Sequence, residues 1–273
     1  MYQVKIGHQT FDKIPSSLEE VSFSRFLKFL TIDKDNPIEK LHWALDCEPS
    51  FERTSVTAGQ IAKVLQVVQP VIDEMYWFSE GYTDGPTSAS VNILRYDVPL
   101  QVGLLNELPY WAYVVAKHVL KEEGKKESYD PMHRFPQLIA HYLYSSITKQ
   151  QYDEAKAEVF TEVISASPML PCIQIGLFLV AETYRLIKVE LSEFSGPVDE
   201  AIIEAGVEIF EKYGDVNNLD TLSMGDVTKW NDIKALDRGT VYTKLSKLKD
   251  TTIFQKAYTE ILNREAKRNG YKH

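Results

Sequence analysis

Polar and apolar positions alternate at the start of the chain: Tyr2, Val4 and Ile6 fall on one side, Gln3 and Lys5 on the other, and after Gly7-His8 a second run reaches Phe11. A period of two predicts a β-hairpin, closed by Ile14-Pro15. In SSLEEVSFSRFLKFL, Ser22 or Ser24 is placed to cap a helix carrying Phe26, Leu27 and Leu30. After a polar turn at 33–37, the spacing of Ile38, Leu41 and Leu45 predicts a short helix, with His42 at the edge of its apolar stripe and Trp43 off it. Thr57 can cap a longer helix, from 58 to about 75, with Ile61, Val64, Leu65, Val68 and Ile72 inward and a kink at Pro70.

The pattern breaks at 79–90, where Gly, Ser, Thr, Asp and Pro accumulate as in a linker. Beyond it, 91–96 reads as a strand or an extended lead into a helical region that opens near Leu104 and runs through YWAYVVAKHVLKEEG to Gly124. A polar loop, GKKESYDPMH, delivers the chain into a scaffold at 134–186. Leu138, Ile139, Tyr142 and Leu143, then Tyr152, Val159, Phe160 and Val163, recur there at helical spacing. Gly214 and Gly270 sit just past two further predicted helices, 198–213 and 252–268, with two short helices joined by a turn between them. The fold class expected is α+β, mostly α: residues 1–85 form a small ubiquitin-like (β-grasp) hairpin and helix region, and residues 86–273 a multi-helix domain.

Composition narrows the function classes. The 273 residues can bury a full core without a metal or disulfide. A formal net charge of -9 argues against coating nucleic acid, which needs Lys and Arg to neutralise phosphates. Cys47 and Cys172 lie far apart and outside any C-x-x-C pattern, as expected of reduced, structural thiols in a chain made in the cytoplasm. No secretory leader is expected from MYQVKIGHQTF. The nearly apolar run at 169–181 is 13 residues long and holds Pro171 and Gln174, so a buried core helix is expected there and no membrane span.

Candidate chemistry is sparse. His133 and His141 are eight apart, roughly one helical face, with Asp130 nearby, but zinc needs three or four convergent ligands and Pro131 and Pro136 break the segment. Cys172 sits in an apolar run, and Cys47 has Asp46 and Glu48 beside it, so neither favours a thiolate nucleophile. Glu19-Glu20, Glu122-Glu123 and Asp153-Glu154 lie on polar segments and read as solvated faces, the last also favoured by a helix N-terminus. No phosphate-binding glycine loop, G-x-S-x-G or H-E-x-x-H occurs. Lys244, Lys247 and Lys249, and later Lys267, Arg268 and Lys272, read as a solvated basic face, with Glu260 and Arg264 at i,i+4 spacing. No catalytic, cofactor-binding or metal residue is therefore assigned.

Aromatic residues are dense at Tyr76-Trp77-Phe78 and at Tyr110-Trp111-Tyr113. Tyr and Trp combine apolar area with a polar tip, so both groups are candidates for a partner surface as well as for core packing. Three segments, VKIGHQTFDKIPSSLEEVSFSRFLKF, FPQLIAHYLYSSITKQQYDEAKAEVFTEVISASPMLPCIQIGLFLV and GDVTKWNDIKALDRGTVYTKLSKLKD, together resemble structural and tail-assembly proteins of the crAss-like tailed bacteriophages that infect gut Bacteroides. The resemblance implies a non-enzymatic virion protein in the portal, neck or tail rings. Its partners would be other copies of itself in a ring and neighbouring portal or tail proteins, with DNA met only in passage through the ring. The alternatives it leaves are a tail assembly chaperone that does not stay in the particle and, from the histidines and carboxylates alone, a metal-dependent enzyme.

Overall fold

Strand β1 (Tyr2–Ile6) pairs antiparallel with β2 (Gln9–Ile14), with Lys5 opposite Thr10 and an irregularity between Tyr2 and Val4, so the alternating N-terminus is a hairpin. The computed structural model describes residues 2–6, 9–33, 35–46, 58–81, 90–123, 131–194, 204 and 207–270. The fold is α+β and mostly α. It divides into two compact units, Met1–Gln101 with Val119–Ala181, and Val102–His118 with Glu182–His273. Contacts thus partition the chain differently from the expected division at residue 85: each unit takes residues from two separate stretches, and both boundaries after Gln101 fall inside helices.

In unit 1, Ser22 caps α1 (Phe23–Phe29) by accepting the Arg25 N–H at 3.3 Å. Asn36 caps α2 (Pro37–Leu45), where proline occupies the first turn. Helix α3 (Ala58–Gly81) continues past Pro70 and buries Val64, Val68, Val71, Ile72 and Met75, while Ile61 and Leu65 are only half-buried. A second hairpin follows, β3 (Ser90–Ile93) with β4 (Tyr96–Pro99); Leu94 and Arg95 make its two-residue turn at φ 50° and 64°. The proposed cap Thr57, the linker residues 82–89, Cys47 and the loop residues 124–130 lie outside the described residues.

The centre of unit 1 is the scaffold: α5 (Phe135–Thr148), α6 (Glu154–Ser165) and the first part of α7 (Met169–Phe194). Leu138, Ile139, Tyr142 and Leu143 are buried as their spacing predicts. Phe23 N–H donates to Ser167 O at 2.8 Å and Met169 N–H to Val21 O at 2.9 Å, fastening the segment before α1 to the corner between α6 and α7. At Gly176 the Phe135 ring comes so close that an added Cβ would stand 2.2 Å from the ring. Helix α7 is twice as long as the apolar run suggested. One 18-residue window has mean hydropathy 1.4, which by length and composition suffices to cross a bilayer, and 44% of that window is buried inside the protein.

Unit 2 packs Tyr110 and Val114 of α4 (Tyr110–Glu123) against Leu219 of α8 (Val216–Ser223), Ile233 of α9 (Trp230–Ala235) and Val241 of α10 (Arg238–Gly270). Tyr110 N–H donates to Leu236 O at 2.7 Å and Arg238 N–H to Leu108 O at 2.9 Å. The described end of the predicted helix at 198–213 is a 3-10 helix, Val207–Tyr213. The second short helix expected before 252 is instead continuous with the last one, and α10 runs for 33 residues.

Candidate functional site

A cavity of about 310 Å³ in unit 2 is lined by Tyr110, Asn218 and Tyr242 beside the charged Lys117, Glu190, Asp215, Arg238 and Lys249. Lys117 Nζ lies 2.7 Å from Asp215 Oδ1, and His118 Nε2 lies 3.3 Å from Asp215 Oδ2. Arg238, buried, donates through Nη2 to Glu190 at 2.9 Å and through Nη1 to Asn106 at 2.7 Å, and its guanidinium lies over the rings of Tyr113 and Tyr242. Lys249 Nζ donates to Glu193 O and meets Glu193 Oε1 at 3.3 Å. Burial, then the charge of Asp215, pushes the Tyr110 phenol well above its ordinary value; it stays protonated and accepts a bond from Asn218 at 3.1 Å. Each cation here meets an anion, so the cluster is built to hold α4, α7, α8 and α10 in place, and its carboxylates are committed to that work.

His141 forms the second polar cluster. It is buried on α5, with Nδ1 2.9 Å from the Tyr152 hydroxyl and Nε2 3.0 Å from Glu158 Oε2. The hydrogen bond from His141, helped by one from Gln137, holds the Glu158 carboxyl below its ordinary value, and burial raises the Tyr152 phenol. The three side chains clamp α5 to α6. His133 is exposed on the 3-10 turn Pro131–Arg134, and among the described residues no group of three or more His, Cys, Asp or Glu could hold a metal. Burial pushes the Cys172 thiol up to about 12, which makes it a small core residue.

The aromatic candidates separate on burial. Tyr110 and Tyr113 are buried, Tyr110 in the core of unit 2, and half-buried Trp111 packs against that core with Lys234 Nζ 4.1 Å from its ring centre. Tyr76, Trp77 and Phe78 have side chains outside the described residues.

Exposed apolar area lies elsewhere. Every residue from Thr251 to Arg268 on α10 is exposed, and Phe254 (67% exposed), Tyr258, Ile261 and Leu262 recur at i, i+4, i+7 and i+8 on one face, with the Phe254 and Tyr258 rings stacked at 6.0 Å. On α6, Val159 (70% exposed) and Val163 face outward, whereas their helical spacing suggested core; Ala157 and Ile164 are the buried positions of that helix. Sequence reasoning missed both faces. No family model, curated protein or solved structure matches the chain.

Proposed function

We propose that this chain is a non-enzymatic structural protein of a tailed bacteriophage virion, a ring-forming component of the portal, neck or tail assembly that meets its own copies head to tail. The observation that carries the reading is the outer half of α10, eighteen consecutive exposed residues with an apolar stripe. A subunit that buries such a stripe against a neighbour gains the area's hydrophobic free energy. A contact between two different patches on identical subunits closes into a ring when the rotation between neighbours is a fraction of a full turn. The phage assignment itself rests on the resemblance of the three sequence segments.

The test is quantitative mass spectrometry of purified particles from a culture that expresses the chain. The expected result is the chain present in a fixed ratio of several copies per particle. Its presence in infected lysate but absence from particles would replace this reading with that of an assembly chaperone.

A further inference from the structure

We propose that the outer half of α10 in one copy docks on the exposed face of α6 in the next copy, apolar ridge against apolar ridge and basic ridge against acidic ridge. The inference deepens the ring reading and takes its head-to-tail sense from it.

The donor is Thr251–Arg268, about 27 Å of helix at 1.5 Å per residue, with Phe254, Tyr258, Ile261 and Leu262 on one face and Arg264 and Arg268 along its edge. The acceptor is α6, on which Ala155, Val159 and Val163 form an exposed ridge at i,i+4 spacing that Ala166 extends. Directly beside it runs a second ridge at the same spacing, Glu154, Glu158 and Glu162, also exposed. Each helix thus carries an apolar ridge with a charged ridge alongside, and the two charged ridges have opposite sign.

Charge selects this pairing over others. From Thr251 to Arg268 there are four Lys and Arg against two Asp and Glu, in a chain whose formal net charge is -9. Pairing α10 with α10 of another copy would bring two basic helices together, whereas α6 presents the exposed carboxylates of Glu154 and Glu162 on either side of Glu158, which His141 and Gln137 already hold. An anionic membrane is a poorer occupant. Glu265 stands at i+4 from Ile261 and i+7 from Tyr258, on the apolar face itself, and insertion would carry its carboxylate into lipid. On α6, Lys156 lies on the far side of the valine ridge from the glutamates, where it can answer Glu265.

The four large apolar side chains of α10, about half exposed or more, offer roughly 400–500 Å² against α6. The interface then buries roughly 1,000 Å² counting both partners, the least that a specific contact needs. A single contact of this size is weak, and a closed ring, in which each subunit makes it twice, is held by repetition.

Sedimentation equilibrium of the full chain tests this, with circular dichroism to confirm folding. The wild type should gain mass with concentration, and the gain should weaken about tenfold between roughly 0.05 and 0.5 M salt. E154K/E162K and R264E/R268E should each remain monomeric alone, because each makes its two ridges alike in sign. Mixing the two variants should restore association, since every junction in the alternating chain then pairs opposite charges. A wild type that stays monomeric up to about 1 mM, variants that associate like the wild type, or a mixture that stays monomeric would each overturn the docking. So would a wild type that stays monomeric yet binds vesicles of phosphatidylglycerol. A chain found in particles that fails the mixing test overturns this contact alone; one that passes it but is absent from particles overturns the virion reading alone.

Discussion

Arg25 is a charge that the core of unit 1 is built around. Its guanidinium donates to Trp43 O at 3.2 and 2.9 Å, to Lys13 O at 2.7 Å and to Ala44 O at 2.5 Å, while the Trp43 indole N–H returns a bond to Arg25 O at 2.8 Å. Burial lowers its pKa without threatening its charge. Arg25→Met removes the guanidinium from three carbonyls, of which Trp43 O keeps the Asp46 N–H, and should cost about 3 kcal/mol by urea denaturation. Gly176→Ala drives a methyl into the Phe135 ring and should also cost about 3 kcal/mol, part of which the added change Phe135→Leu should recover. The sequence showed neither partner. Trp43, off the apolar stripe of its helix by spacing, is only 4% exposed, because Arg25 and Phe29 cover it from another element. Periodicity within a helix does not register a residue brought up from eighteen positions away.

Among the elements, α10 has two characters. Up to Lys249 it packs into unit 2; beyond Asp250 its side chains are exposed. Truncation after Asp250 should therefore shift the thermal midpoint by no more than about 2 °C while abolishing self-association, measured by calorimetry and sedimentation. Glu182 of α7 is buried. Burial works to raise its pKa, but bonds from Arg185 and from the Gly103 N–H, the latter at 2.8 Å, outweigh that and hold it below 4.5. Gly103 itself takes φ 96°, where glycine carries no steric penalty. The existence of α5, α6 and α7 was legible from apolar spacing, as were the Ser22 cap and the N-terminal hairpin. The outward turn of Val159 and Val163 was not, since spacing places residues on a common face without saying whether that face is covered.

For the molecule as a whole, acid is the condition to which the packing should respond. Glu158 and Glu182 have folded pKa values below the ordinary 4.5, so the folded chain binds fewer protons than the unfolded one. Their contribution is complete above pH 4.5 and is lost as pH falls through their folded values. Urea midpoints should accordingly hold between pH 7 and 5 and fall below about pH 4.5, and Glu158→Gln should flatten that acid limb relative to wild type. A flat profile for the wild type would contradict the hydrogen-bond accounting at both sites.

The sequence by itself determined the N-terminal hairpin and the scaffold helices, the sign of the overall charge and the inertness of Cys172, because each follows from local spacing, turn chemistry or composition, whereas the second hairpin and the length of α10 did not show in it. Only the tertiary structure decided which apolar faces are covered. Tyr110 went inward because Leu219, Ile233 and Val241 close over it, and Phe254 and Tyr258 stayed outward because α10 outruns the helices it packs on. Burial belongs to the pair of surfaces that meet, and one surface alone carries only half of that information.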